Sequence, residues 1–143
     1  LLQDHDSPAE LSFMHALQDY LLDQYDRQGL LIEANPTSNV YIARLQGYHE
    51  HPIFRWSPPD ESVLQAGCDH YRYGIRRGPL WVLVITDDPC IMLITLRTEY
   101  ALLREAAIDL GISRTVAETW LERLRELGVD QFLRNHQPVF TRR

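Results

Sequence analysis

Lysine is missing altogether: all 14 basic residues are arginine. Against them stand 20 acidic residues, giving a net charge of −6, so the surface as a whole does not attract nucleic acid nonspecifically. Cysteine is scarce. Cys68 and Cys90 are the only two, too few for a disulfide framework, and free thiols in a reducing cytoplasm are the simpler expectation. The seven glycines do not cluster, which excludes a glycine-rich phosphate loop. No Gly-x-Ser-x-Gly element occurs, so the nucleophile elbow of serine hydrolases is missing. No apolar run reaches the roughly 18 residues of a membrane span, so no membrane partner is expected. The opening Leu1-Leu2-Gln3-Asp4-His5-Asp6 has neither the basic patch nor the apolar core of a secretion signal. With these signatures gone, a non-enzymatic protein without a cofactor is expected.

What is present describes an ordinary globular domain. The 143 residues fit one domain, 1–143, with 45 % hydrophobic and 24 % charged residues. Charge is uneven along the chain. Residues 97–143 hold eight Arg against seven acids, or +1, whereas residues 1–96 hold six Arg against thirteen acids, or −7.

Local patterns place the elements. Ser7-Pro8-Ala9-Glu10 is a helix start with a capping box. Phe13, Met14, Leu17, Tyr20, Leu21 and Tyr25 then recur at helical spacing. Gly29 is a natural stop, so a helix is expected over 8–28. Leu30-Leu31-Ile32 closes that helix or opens a strand, and Asn35 to Asn39 reads as a turn. Val40–Leu45 reads as a strand, with Pro52–Trp56 a candidate second one. Leu80–Ile85 and Cys90–Ile94 are apolar on both faces and flank the turn-like Thr86-Asp87-Asp88-Pro89, which predicts a hairpin at the centre of a sheet. Helices are expected at 98–110 and 114–127, stopped by Gly111 and Gly128, with Ser113 as a cap.

The fold class expected is therefore α+β, with a central antiparallel sheet (40–45, 80–86, 90–96), a long N-terminal helix and a C-terminal helical hairpin. The core should contain Leu17, Leu21, Ile42, Trp81, Leu83, Ile85, Leu93, Leu110, Ile112, Trp120 and Leu124.

The run from Arg104 to Leu121 has small Ala107 where two helices would cross, Gly111 for a left-handed turn, Ile112 at the corner and Trp120 on the inner side. It resembles the helix-turn-helix of bacterial transcription regulators. The tail resembles a wing, with a hairpin of Phe132-Leu133 and Val139-Phe140, making 98–143 a winged-helix-like subregion. The resemblance implies that the second helix enters the major groove. Arg114, Thr115, Glu118 and Thr119 would then face bases, Arg123 would approach phosphates, and Arg134, His136, Arg142 and Arg143 would sit on the wing. Two features depart from the family. Ala117 stands where a branched apolar residue is usual, and Glu118, Glu122 and Glu126 repel phosphate. Helix–Gly–helix is also how plain helical hairpins are built.

A second cluster comprises His49, His51, Cys68 and His70. On strands, residues two apart share a face, which would give an N/S set suited to zinc. The one-residue gaps are atypical of zinc pairs, and exposed loop histidines with a small buried cysteine explain them equally. No metal is expected. Arg72, Arg76 and Arg77 form the basic cluster of the acidic body and flank a sheet or hold an anion.

The leading functional expectation is a small cytoplasmic bacterial regulatory protein touching DNA through residues 104–143. The alternative is a non-enzymatic protein-binding module: an adaptor, a secretion chaperone or an inhibitor of a partner. A homodimer through helix 8–28, a sheet edge or both is expected in either case, because the apolar residues of that helix exceed what one sheet face needs.

Overall fold

The computed structural model describes residues 7–65, 67–68, 72–75 and 78–135. Helix α1 spans Pro8–Arg27. Its start is a reciprocal cap: Glu10 N donates to Ser7 Oγ (3.3 Å) and Ser7 N donates to the Glu10 carboxylate (2.8 Å). Gly29, at φ +68°, turns the chain out of the helix. Strand β1, Ile32–Ala34, follows at once.

The segment expected as a strand at 40–45 is helical. Helix α2 spans Pro36–Ala43, because Pro36 occupies the first helical position, where its missing N–H costs nothing. Arg44, with φ 55°, ends it. The 52–56 segment is likewise a helical turn, α3, Ile53–Trp56. A 3-10 turn covers Tyr48–Glu50 and another Glu61–Leu64.

Strand β2, Val82–Val84, pairs with β1 in parallel, Ile32 opposite Val82, Glu33 opposite Leu83 and Ala34 opposite Val84. The expected antiparallel sheet is thus replaced by a two-stranded parallel one. The expected hairpin at 80–96 does not form either. Asp88 accepts from the N–H groups of Cys90 (2.9 Å) and Ile91 (3.2 Å). With Pro89 behind it, Asp88 starts a short helix, α4, Pro89–Met92. Asp-Pro acts here as a helix cap followed by a first-position proline, not as a β-turn.

Helix α5, Leu96–Asp109, and helix α6, Arg114–Asn135, are joined by a tight turn in which Gly111 sits at φ +86°. Ile112 N closes that turn on Ala107 O at 3.0 Å. Gly128 does not stop α6, and Phe132 and Leu133, expected as a wing strand, are helical. A mid-helix glycine costs only about 1 kcal/mol against alanine, and no proline follows until Pro138. The other proposed wing strand, Val139-Phe140, lies outside the described residues.

Helices α5 and α6 pack on each other and on β2. Leu103, Ala106 and Ala107 of α5, and Ala117, Trp120, Leu121 and Leu124 of α6, join Ala34, Ile53, Phe54, Leu80, Val82 and Val84 in one buried cluster. Trp120 lies tilted on Phe54 at 5.3 Å between ring centroids, and its Nε1–H donates to Ser57 O at 2.7 Å. Of the expected core, Trp120 and Leu124 are buried, and Leu83, Ile85 and Ile112 are half-buried. Leu17, Leu21, Ile42, Trp81, Leu93 and Leu110 are exposed. Ile42 and Leu93 moved out because their segments are helical or irregular instead of paired strands. Leu17 and Leu21 are out because α1 faces the body with Asp19, Leu22 and Asp23. Among the described residues no helix is long and apolar enough to cross a membrane.

Leu103, fully buried, should lose about 2–5 kcal/mol of stability as Leu103→Ala. Leu93→Ala, at an 87 % exposed site, should change stability by less than about 0.5 kcal/mol. Urea midpoints compare the two, and equal losses would contradict this core.

Candidate functional site

Because β1 and β2 are parallel and in register, the loops leaving their carboxyl ends emerge side by side. β1 runs into Asn35-Pro36-Thr37-Ser38-Asn39 and β2 into Ile85-Thr86-Asp87-Asp88. Ser38 Oγ donates to Asp87 Oδ2 at 2.7 Å, tying the two strand ends together. Ser38 is buried and Asp87 is exposed, so the pair reaches from the core to solvent.

A layer of buried polar groups holds the first turn of α2, which follows β1, in place. Thr37 N donates to both oxygens of Glu99 (3.3 and 3.1 Å), and Thr37 Oγ1 donates to Glu99 Oε2 at 2.9 Å. That spends the Thr37 hydroxyl proton, so Tyr48 donates in the 3.1 Å contact between the two hydroxyls. Burial pushes the Glu99 carboxyl above its usual range, and the hydrogen bonds from Thr37 pull it partly back. Glu99 thereby fixes the start of α2 to α5.

His51, 2 % exposed, supports this turn from the other side. Its Nδ1 accepts from Ile53 N at 3.0 Å, which places the ring proton on Nε2, and Nε2–H donates to Asn39 Oδ1 at 2.9 Å. Asn39 Oδ1 also accepts from Asn35 N at 3.1 Å. Burial lowers the imidazole pKa to about 4, so this histidine is neutral at physiological pH. Asn35 Oδ1 is buried and has no hydrogen-bond partner among the described residues.

The residues singled out for DNA contact fall as follows. Arg114, Thr115, Glu118, Thr119 and Arg123 are all exposed on α6. Several are engaged with neighbours: Arg114 lies 3.9 Å from Glu118, and Arg123 pairs with Glu61 and donates to Pro58 O at 3.1 Å. Thr119 Oγ1 donates to Thr115 O at 2.9 Å. Arg134 belongs to the last turn of α6 and not to a wing. His136, Arg142 and Arg143 lie outside the described residues.

The four candidate metal ligands are not brought together. His49 is exposed, whereas His51 is buried with both ring nitrogens engaged. Cys68 is half-buried and unpaired, and His70 lies outside the described residues, as do Arg76 and Arg77. Among the described residues no group of three or more His, Cys, Asp or Glu is placed to hold a metal ion. Two cavities, of about 450 and 540 Å³, open elsewhere, one between α5 and α6 and one between α1 and the 49–56 segment.

The Ser38–Asp87 pair and the Glu99 and His51 supports were missed because Asn35–Asn39 and Thr86–Pro89 both read as turns and the parallel pairing that brings them together was not expected. No known protein family, curated protein or solved structure matches this chain.

Protonation of His51 gives a pH signature. Its folded pKa is about 4 against 6.5 when exposed, so its contribution is complete above pH 6.5 and is lost as pH falls toward 4. Stability should drop by about 2 kcal/mol between pH 7 and pH 5 from this group. Urea melts of the wild type and His51→Gln at the two pH values check it: the variant should lack this component. An equal drop in both proteins would refute it.

Proposed function

We propose that this chain binds a small polar ligand at the carboxyl end of the β1–β2 pair, with Asp87 as the carboxylate that meets it. The observation carrying this reading is the Ser38–Asp87 hydrogen bond across the two parallel strand ends. In open parallel sheets, ligands collect at the carboxyl ends of the strands, where loops project free of the helices. Asp87 offers an acceptor that Ser38 orients, and Ser38 in turn sits in the first turn of α2, whose Thr37 and Asn39 are held by Glu99 and His51. A rigid support of this kind is what a binding or catalytic carboxylate requires. The net charge of −7 over residues 1–96 favours a ligand rich in hydrogen-bond donors or carrying positive charge, such as an amine. The free thiols of Cys68 and Cys90 support residence in a reducing compartment.

A thermal-shift panel of small amines and polyols tests the site. Asp87→Asn should abolish any stabilising shift, and Ser38→Ala should weaken the responsible ligand about tenfold. A shift that survives in Asp87→Asn would remove the assignment.

A second reading rests on a different observation. Arg114, Thr115 and Thr119 are exposed on a helix that follows a left-handed glycine turn, as in a DNA-contacting bacterial regulator. Glu118, Glu122 and Glu126 on the same helix weaken it. It requires affinity for duplex DNA that falls steeply with salt and drops further in Arg114→Ala; binding insensitive to salt, or none, ends it.

A further inference from the structure

Helix α1 has its polarity reversed. The side against the body carries Asp19 and Asp23, both buried, with Leu22. Asp19 is held by Arg55 at 2.6 Å and Asp23 by Arg27 at 2.6 Å. The opposite side carries Phe13, Met14, Leu17, Tyr20 and Leu21, all exposed, Phe13 to 66 %; Tyr25, also exposed, lies on the flank and with Leu21 lines the cavity against residues 49–56. The Asp19–Arg55 pair anchors the helix to the body, the Asp23–Arg27 pair lies within α1 itself, and the apolar side chains face water.

We propose that this face is covered by α1 of a second copy of the chain, packed antiparallel about a two-fold axis through Leu17. The pattern is self-complementary about that residue. Phe13 and Met14 stand four and three positions before it, and Leu21 and Tyr20 four and three after. An antiparallel two-fold therefore sets Phe13 against the partner's Leu21, Met14 against the partner's Tyr20, and Leu17 against its own copy. The next residues outward on the same face are Glu10 and Gln24, seven before and seven after. The same operation sets the Glu10 carboxylate, an acceptor, beside the partner's Gln24 amide, a donor, twice per interface. A heterologous partner would have no need of this mirror arrangement.

The available area fits. Wholly covered, these five side chains would remove roughly 500 Å² per protomer from water, about 1,000 Å² for the pair, the threshold of a specific interface. The aromatic and Met content matches that of interface centres.

Sedimentation equilibrium of the full chain at micromolar concentration should give a dimer. Leu17→Asp places two carboxylates on the axis and should raise the dissociation constant about a hundredfold or more. A cysteine pair gives an independent readout that does not depend on how Leu17→Asp folds. With Cys68→Ser and Cys90→Ser in the background, Leu17→Cys should form an intermolecular disulfide on mild oxidation, and Ile42→Cys, more exposed but off α1, should not. A monomeric wild type, a dimer indifferent to Leu17→Asp, or cross-linking that is as efficient at Ile42 as at Leu17 would each overturn the proposal.

Discussion

Three residue pairs, Ile32 with Val82, Glu33 with Leu83 and Ala34 with Val84, hold the molecule in its arrangement. They join segments far apart in the chain, and their parallel sense decides where everything else goes. It brings the loop after Ala34 and the loop after Val84 to the same end. It also gives α5 and α6 a buried strand to lie on, with Val82 and Val84 meeting Leu103, Trp120 and Leu124 in one cluster. An antiparallel pairing would have sent the two loops to opposite ends and separated Ser38 from Asp87.

Buried polarity serves two different purposes here. Around the strand ends, Thr37, Ser38, His51 and Glu99 are all buried and all hydrogen-bonded. Satisfied polar groups of this kind specify one loop geometry where apolar packing would allow several. On α1, by contrast, buried Asp19 ties the helix to the body through Arg55, while buried Asp23 pairs with Arg27 of the same helix. The Asp19–Arg55 pair favours the inward placement of this side of α1, against the usual rule that the apolar side turns in. Helical periodicity identifies an apolar face but not what that face meets.

That distinction explains what the sequence revealed and what it hid. The starts of α1, α5 and α6 and the left-handed turns at Gly29 and Gly111 were legible because capping and positive φ are local chemistry. Helix α1 was expected at 8–28 and spans Pro8–Arg27, and α5 and α6 begin within two residues of expectation. Strand β2, Val82–Val84, lies within the strand expected at 80–86, but its parallel pairing with β1 was not legible. Val40–Leu45 and Cys90–Ile94 have the apolar, β-branched content of strands, yet Asn35-Pro36 and Asp88-Pro89 start helices there. Three-residue strands leave too short a trace for alternation to register. The site was hidden for the same reason, since Ser38 and Asp87 become neighbours only through a parallel pairing that the sequence pattern concealed.

The tight turn between α5 and α6 also bears on how the chain reaches this arrangement. Those helices meet across residues 110–113, so their contacts form at small sequence separation. The β1–β2 pairing must instead close a loop of about 50 residues, from Ile32 to Val82, against the entropy of the chain between them. Local contacts form first under that constraint. Sequence separation therefore favours a helical hairpin that offers β2 a surface ahead of the β1–β2 pairing and of the Ser38–Asp87 contact at its end.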